Sequence, residues 1–531
     1  MRRLVITSSA RRWKTYKSRF SEVSSTQESL SGFLGRRIEG YVRGGSGSKV
    51  AVGCAVSGRA ITYGEFLPRV EAAASALQAQ GFGPGDTLLI HSPNCPEYPI
   101  AFQAALRLGG VVSTSNPLYT ARELAHQIKD SKAKHVLTIG MFADTAREAA
   151  GDEEASMVSV LGEAGCPVAV AGTPYDENAR AEEHGVGGDR IAALPYSSGT
   201  TGLPKGVMLS HANLATNLLQ VEQSYREGDV GADVTDSERA STDTLLGLLP
   251  MFHIYGMNTV LNYALAQGAT LLSLPKFDPE TFVAALKRPD GPTIAHLVPP
   301  LLLFLSHHEP FETPLKIICS GAAPLDAALQ TKVADSLDVR VFQGYGLTES
   351  SPVTHCDLAG KPGSVGQLAS STEARVVRER RPDEPGDDPY VDVAPGEQGE
   401  LLTRGPQIMK GYLNRDVETA QTLLPGGWLR TGDLAVVEEV DSDPATFWVV
   451  DRVKELIKVK GLQVSPAEIE GLLLQHDRVK DAAVVPQPDA RSGELPHAFL
   501  SLDLQAPFCR PHHLRRRDPQ VGLRQNPPPP P

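Results

Sequence analysis

The strongest chemical signal in this 531-residue chain is the run Tyr196-Ser197-Ser198-Gly199-Thr200-Thr201-Gly202-Leu203-Pro204-Lys205-Gly206-Val207. Hydroxyl side chains and two glycines precede one lysine. Glycines let backbone N–H groups approach an anion, hydroxyls donate hydrogen bonds, and a lysine adds a mobile positive charge. That is the chemistry of a phosphate cradle. The spacing of Gly, Lys and Ser/Thr differs from that of a Walker P-loop.

Other motifs follow in order: LPMFHIYG at 249–256, SGAAPL at 320–325, QGYGLTES at 343–350, GELLTRGPQIMKGYLN at 399–414, GWLRTGDL at 427–434 and DRVKELIKVKGLQVSPAEIE at 451–470. With YSSGTTGLPKGVMLSH they resemble the adenylate-forming superfamily of acyl-CoA synthetases, 4-coumarate–CoA ligases, firefly-type luciferases and carrier-protein adenylation domains. The resemblance runs from about Ile61 to Leu502, and the detailed wording is most similar to the 4-coumarate–CoA ligase branch and its fatty-acyl relatives. It implies an acid–thiol ligase. ATP first converts a carboxylic acid to acyl-AMP, and CoA then displaces AMP. The implied cofactors are ATP, CoA and Mg²⁺. The implied partner is a small carboxylic acid, with no carrier protein, nucleic acid or membrane span.

The resemblance also implies site roles. Ser197 to Gly202 and Lys205 face the phosphates. Gly321, Ala322, Gln343, Gly344, Tyr345 and Gly346 contact the nucleotide, with the Tyr345 ring on adenine. Thr348 donates to the α-phosphate and Glu349 holds Mg²⁺, which offsets phosphate charge. Asp433 accepts from the ribose hydroxyls. Arg452 reaches ribose or phosphate, and Lys458 and Gln463 face the adenylate. His253 stands at the mouth of the carboxylate pocket. Ile254, Tyr255, Asn258, Gly321, Gly346, Pro352 and Val353 line the acyl site. Asp451 is the hinge, and Lys460, Gly461 and Leu462 border the path of CoA. Cys319 stands where many coumarate ligases have a lysine, which removes a donor for a ring substituent. Hydroxycinnamate and fatty or jasmonate-precursor-like acids therefore both stay open.

The elements that must position these residues alternate strand and helix. The pattern predicts a strand and helix start at RAITYGEF, a helix over Glu71–Gln80, strands in GDTLLIHSPN, VVSTSNP and AKHVLTIG, and helices in PIAFQAALRLGG and Ala121–Ser131. Spacing of about 20–25 residues calls for a parallel sheet with helical crossovers. The alternation resumes over 243–349, and short β pieces with turns fill 370–450. A helix is expected over 464–480, with Ser465 as cap, and a strand in DAAVVPQPD. The expected fold is α/β: an N-terminal domain over 31–450 with parallel-sheet subdomains and a small β subdomain, then a shortened α+β lid over 451–502.

Charge and composition frame the two ends. The net charge is −12, yet residues 1–21 hold seven Lys/Arg and no acid, and residues 504–531 hold five Arg and one Asp. The body between them is strongly acidic, which argues against a general nucleic-acid surface. The longest apolar run, Leu297 to Leu305, contains Pro299-Pro300 and falls short of the ~20 residues a span needs. Six scattered cysteines form no Cys-x-x-Cys pair and fit a reducing compartment. Residues 1–30 read as a basic, disordered extension resembling a transit peptide, leaving the compartment open between cytoplasm and organelle. Residues 503–531 read as a disordered Pro/Arg-rich tail.

The resemblance leads one to expect a Pro-Lys-x-x-x-Gly-Lys-type ending whose last lysine bridges carboxylate and α-phosphate. No lysine follows Lys480. Two accounts stay open: a mis-spliced or mis-framed last 25 or so residues, or a protein that binds nucleotide and adenylates slowly. A luciferase-like enzyme sharing the first half-reaction is a further alternative.

Overall fold

The computed structural model describes residues 14–151, 157–181, 184, 186–197, 204–228, 241–384, 386, 388–440, 443–452, 457–459, 462–464, 466, 469, 470, 473, 476, 478–489 and 493–502. They fall in two compact units, Met1–Lys454 and Glu455–Pro531. The division lies four residues beyond the expected boundary at 450.

Two α/β sheets carry the first unit. One has the order Gly411–Tyr412, Lys205–Ser210, Ile191–Ser197, Val111–Ser115, Thr87–His91, Ala133–Ile139, Val158–Leu161. The other runs Gln367–Leu368, Val353–Cys356, Arg340–Gly346, Ile317–Ser320, Ile294–Leu297, Thr244–Gly247, Thr270–Ser273, Val50–Cys54, Ala60–Thr62. Their central strands are parallel. Such strands are covered on both faces and read as apolar runs rather than alternations. Thr87–His91 (TLLIH) illustrates the consequence. Leu88 and Ile90 enter the main core between the sheets, while Leu89 enters a separate cluster with Leu124 and Ile128. Leu245 and Leu246 part in the same way, the second packing with Phe282, Leu302 and Val333.

The expected helix Ala121–Ser131 is present, closed at its start by a Thr120/Glu123 capping box. The helix expected from Glu71 begins earlier, at Tyr63, behind a Thr62/Glu65 box. Order also begins earlier than the resemblance did. Helix Leu30–Tyr41 and strand Val50–Cys54 lie within the core.

A third, antiparallel sheet is the expected β subdomain. Strands Glu373–Glu379, Gln398–Arg404 and Trp428–Val440 form its centre, and Asp443–Arg452 pairs with the last of these. Tyr16–Lys17 adds to its edge, opposite Glu373 and Ala374. This corrects the expected disorder of residues 14–30. Tyr16 and Phe20 are buried, Ser18 N–H donates to the Thr372 carbonyl at 3.0 Å, and the Leu30 N–H donates to His211 Nδ1 at 3.1 Å. Two aromatic side chains outweigh the basic composition around them. Residues 1–13 lie outside the described residues.

The second unit holds a four-stranded antiparallel sheet in the order Leu462–Val464, Ile457–Val459, Gly493–Leu502, Val479–Asp489. Ile457 and Val484 are buried, whereas Phe499 is 59% exposed and Val485, Leu495 and Leu500 are also exposed. Most of the helix expected over 464–480 lies outside the described residues, as does the tail from residue 503. No helix among the described residues is long and apolar enough to cross a membrane.

Four histidines, His91, His211, His296 and His355, are fully buried in the first unit. Desolvation lowers the first three to about 4 and His355 to about 3. The unfolded chain takes up these protons near pH 6.5 and the native chain does not. Stability is therefore full above about pH 6.5 and is lost as pH falls toward 4. Burial pushes Asp357 up to about 6, which acts in the opposite direction, but it is one group against four. Thermal melts should show Tm falling by roughly 5–10 °C between pH 7 and pH 4.5. A flat Tm over that interval would contradict the buried neutral histidines.

Candidate functional site

The parallel strands of the second α/β sheet end on one side, so the loops beyond their carboxyl ends gather there. Ligands bind at that edge in open α/β sheets. The loop after Thr244–Gly247 brings His253, Ile254 and Tyr255. The loop after Ile317–Ser320 brings Gly321 and Ala322. Strand Arg340–Gly346 carries Tyr345 one residue before its end, and the short turn Thr348–Ser350 follows after Leu347. Ala322 sits at φ 72°, a left-handed conformation that costs a residue with a Cβ about 1–2 kcal/mol.

Tyr345 is tied to the third sheet. Its hydroxyl donates to Asp433 Oδ2 at 2.6 Å, and Arg452 Nε lies 3.4 Å from Asp433 Oδ1. Asp433 and Arg452 face each other across the pair Trp428–Val440 and Asp443–Arg452. Burial and then the Asp433 charge raise the Tyr345 phenol well above its ordinary value, so it stays a donor. Behind it the His355 ring packs edge-on at 5.5 Å, with Phe447 4.7 Å beyond and Tyr16 a further 5.6 Å from Phe447. Asp433 is 5% exposed. A carboxylate offers about four lone-pair directions, so accepting from Tyr345 does not exhaust it. This arrangement fits a ribose with a ring base beside it.

The second cluster holds Lys205 and Glu349. Strands Ile191–Ser197 and Lys205–Ser210 pair so that Ser197 stands opposite Lys205. The loop between them, with Ser198, Gly199, Thr200, Thr201 and Gly202, lies outside the described residues. Lys205 Nζ is 3.9 Å from Glu418 Oε1 and 5.4 Å from the centre of the Tyr412 ring. The Tyr412 hydroxyl donates to Glu349 Oε1 at 2.7 Å. The Glu349 carboxylate is a hard oxygen donor of the kind that suits Mg²⁺. Thr348 is half-buried at the start of the same turn. Tyr412 and Glu418 were missed from sequence. Tyr412 lies in the motif ending GYLN, where its type was visible but its partner was not.

Around the acyl positions, His253 is open to solvent, yet the protein packed around it lowers its pKa by desolvation. Its Nδ1 accepts from the Tyr255 N–H at 3.3 Å. A neutral ring then carries its proton on Nε2 and presents a donor. The Tyr255 hydroxyl donates to the Cys319 carbonyl at 3.0 Å, and the Tyr255 ring meets His296 edge-on at 5.7 Å. Cys319 is buried, and desolvation pushes its thiol up to about 12. Ile254 and Val353 belong to the main core.

Several of the expected contact residues also make bonds within the scaffold. Gln343 is buried; its Oε1 accepts from the Leu325 N–H at 3.0 Å. Asn258 donates to the Ser351 carbonyl at 2.7 Å and to the Leu214 carbonyl at 3.2 Å, and accepts from Asn262 at 3.1 Å. Buried amides must be satisfied internally, and these are. Gly346 leaves room for the Pro352 carbonyl, and a Cβ on Gly321 would lie 2.9 Å from the Tyr255 ring. Gly344 has ordinary contacts with Cys319 and His355.

Asp451 is buried, and its Oδ1 accepts from the Arg452 N–H at 2.6 Å. Lys460 and Gly461 lie outside the described residues; for Lys458, Leu462 and Gln463 only the backbone is described, with Lys458 opposite Gln463.

The sequence model of the AMP-binding enzyme family matches residues 43–413. The chain belongs to the AMP-binding enzyme family. The model of the AMP-binding enzyme C-terminal domain matches residues 468–517, so the likeness extends at both ends beyond 61–502. The chain is 37% identical to 4-coumarate–CoA ligase 3 of Arabidopsis thaliana over 460 residues, 84% of this chain and 78% of that one. It is similar to the ATP-bound MatB of Rhodopseudomonas palustris, with a TM-score of 0.74, 28% identity and coverage of 90% and 89%. It is also similar to the o-succinylbenzoate–CoA synthetase of Bacillus subtilis in complex with ATP and magnesium ion, with a TM-score of 0.71, 25% identity and coverage of 88% and 89%. As a member of this AMP-binding family, the chain is an ATP-dependent acid–thiol ligase that works through an acyl-AMP. It uses ATP, CoA and Mg²⁺. When bound, Mg²⁺ neutralises phosphate charge.

Proposed function

We propose that the acid joined to CoA has an apolar body, an unsubstituted aryl-propenoate or a fatty acid, rather than a ring hydroxyl that must be bonded. One observation carries this. At the carboxyl end of Ile317–Ser320, the Tyr255 hydroxyl is spent on the Cys319 carbonyl, and Cys319 contributes a buried neutral thiol. A site built to bond a hydroxyl rejects analogues lacking it far more strongly than an apolar site rejects the hydroxyl. His253 Nε2–H orients the carboxylate. Lys205 and Glu349, through Mg²⁺, face the triphosphate, and Asp433 with Tyr345 holds the nucleoside.

The test is ATP–pyrophosphate exchange with cinnamate, 4-coumarate, caffeate and hexanoate. Cinnamate or hexanoate should match or exceed 4-coumarate in kcat/KM. A preference of more than about tenfold for 4-coumarate over both would overturn the reading.

The same proposal includes the lysine of the first half-reaction. Residues 481–531 hold no lysine, and Lys205 is the lysine assigned here to the phosphates.

A further inference from the structure

Lys205 and Glu349 come from distant parts of the chain and from different sheets. Lys205 opens the strand Lys205–Ser210, and Glu349 lies in the turn after Arg340–Gly346. The side chain that touches both is Tyr412. Its backbone is fixed on three sides. Tyr412 pairs with Val207, its N–H donates to Thr419 Oγ1 at 2.9 Å, and the Leu413 N–H donates to the Gly206 carbonyl at 2.8 Å. The Met409 N–H, three residues earlier, donates to the Glu349 carbonyl at 2.8 Å. The same short segment thus grips the backbone beside each charged residue.

The side chain repeats the connection at its two chemical surfaces. The hydroxyl donates to Glu349 Oε1 at 2.7 Å, and the ring lies 5.4 Å from Lys205 Nζ, within cation–π range. Burial and the Glu349 charge raise the phenol above its ordinary value, so it remains a donor at working pH. A carboxylate with one oxygen held by a fixed donor has one rotational setting for the other. A cation resting on a ring face has a restricted reach. Without the tyrosine, Lys205 loses the ring face and is left to the Glu418 carboxylate 3.9 Å away, while Glu349 Oε1 loses its donor.

We propose that Tyr412 is a positioning residue for adenylation: its hydroxyl orients Glu349 toward Mg²⁺, and its ring restricts where the Lys205 ammonium can reach. The proposal rests on the reading that Glu349 and Lys205 face the MgATP triphosphate.

The experiment measures MgATP binding by calorimetry and pyrophosphate exchange at varied Mg²⁺, using the full chain. Tyr412→Phe keeps the ring and removes the hydroxyl. It should raise the Mg²⁺ needed for half-saturation about 3–10-fold, and leave the ATP affinity at saturating Mg²⁺ within about twofold. Tyr412→Leu removes both surfaces and should also weaken ATP at saturating Mg²⁺ by about 5–10-fold. A merely structural tyrosine would lower the Tm of both variants without moving the Mg²⁺ dependence. An unshifted Mg²⁺ dependence in Tyr412→Phe, or identical behaviour of the two variants, overturns the proposal. Glu349→Gln separates the two levels. A shifted Glu349→Gln with an unshifted Tyr412→Phe sinks the tyrosine's role alone. An unshifted Glu349→Gln sinks the underlying reading and the proposal with it.

Discussion

Replacing Asp433 with alanine should lower kcat/KM for ATP about 100-fold, with most of the loss in KM. The carboxylate is nearly buried between the Tyr345 hydroxyl at 2.6 Å and Arg452 Nε at 3.4 Å. Two charge-assisted hydrogen bonds to ribose hydroxyls would together contribute about 3 kcal/mol, which is the 100-fold effect. The alanine also leaves the Tyr345 hydroxyl without its Asp433 acceptor, so the ring loses that anchor. Asp433→Asn keeps the shape but not the charge, and should fall between wild type and alanine. Initial rates of pyrophosphate exchange against ATP give the numbers. If alanine changed KM for ATP by less than threefold, the nucleoside would sit elsewhere. A fall in kcat alone would place Asp433 near the reacting phosphate rather than the ribose.

Appending a C-terminal segment with the Pro-Lys-x-x-x-Gly-Lys pattern should speed acyl-AMP formation by about 10²–10³. A buried, preorganised positive group at a developing phosphate charge has that order of effect. CoA transfer from supplied acyl-AMP should change less than about threefold, because the added lysine would act only in the first half-reaction. Single-turnover release of pyrophosphate and of AMP reads the two halves separately. An increase below tenfold in the first half-reaction would show that Lys205 and other cations already meet the need. Changing the appended lysine to alanine should return the rate to that of the original chain.

Much of the first unit was legible because its signals are local. Helix Ala121–Ser131 announces itself through Thr120 and Glu123, whose side chains satisfy backbone N–H groups only a turn away. The parallel strands are short apolar runs between glycine-marked turns, so their existence was legible, but the placing of Ala60–Thr62 and Val50–Cys54 in the second sheet was not. Helix Leu30–Tyr41 was not legible. Three glycines in LSGFLGRRIEGY argue against a helix, yet Leu30, Phe33, Leu34, Ile38 and Tyr41 share one buried face. Packing overrode propensity there, as it did for Tyr16 and Phe20 in a stretch whose composition reads as a tail.

The site divides along the same line. Asp433 and Tyr345 could be named from their motifs, but their hydrogen bond joins positions 88 residues apart across two sheets. Asn258 and Gln343 also stood in motifs, and their amides turn to backbone groups that no local pattern reveals. Tyr412 stood in a motif with no role until Glu349 and Lys205 were placed beside it.

The sequence by itself determined the residue types available for chemistry, their order, the strand–helix rhythm and the family resemblance. Those properties are carried by single residues or by neighbours within a few turns. Only the tertiary structure decided which motif residues bond one another across sheets, that residues 14–30 pack onto the fold, and that one tyrosine spans two charged groups. The physical reason is that desolvation and hydrogen-bond direction depend on what lies across a sheet or loop. For Tyr345 and Asp433, or Lys205 and Glu349, that neighbour is far away in the chain.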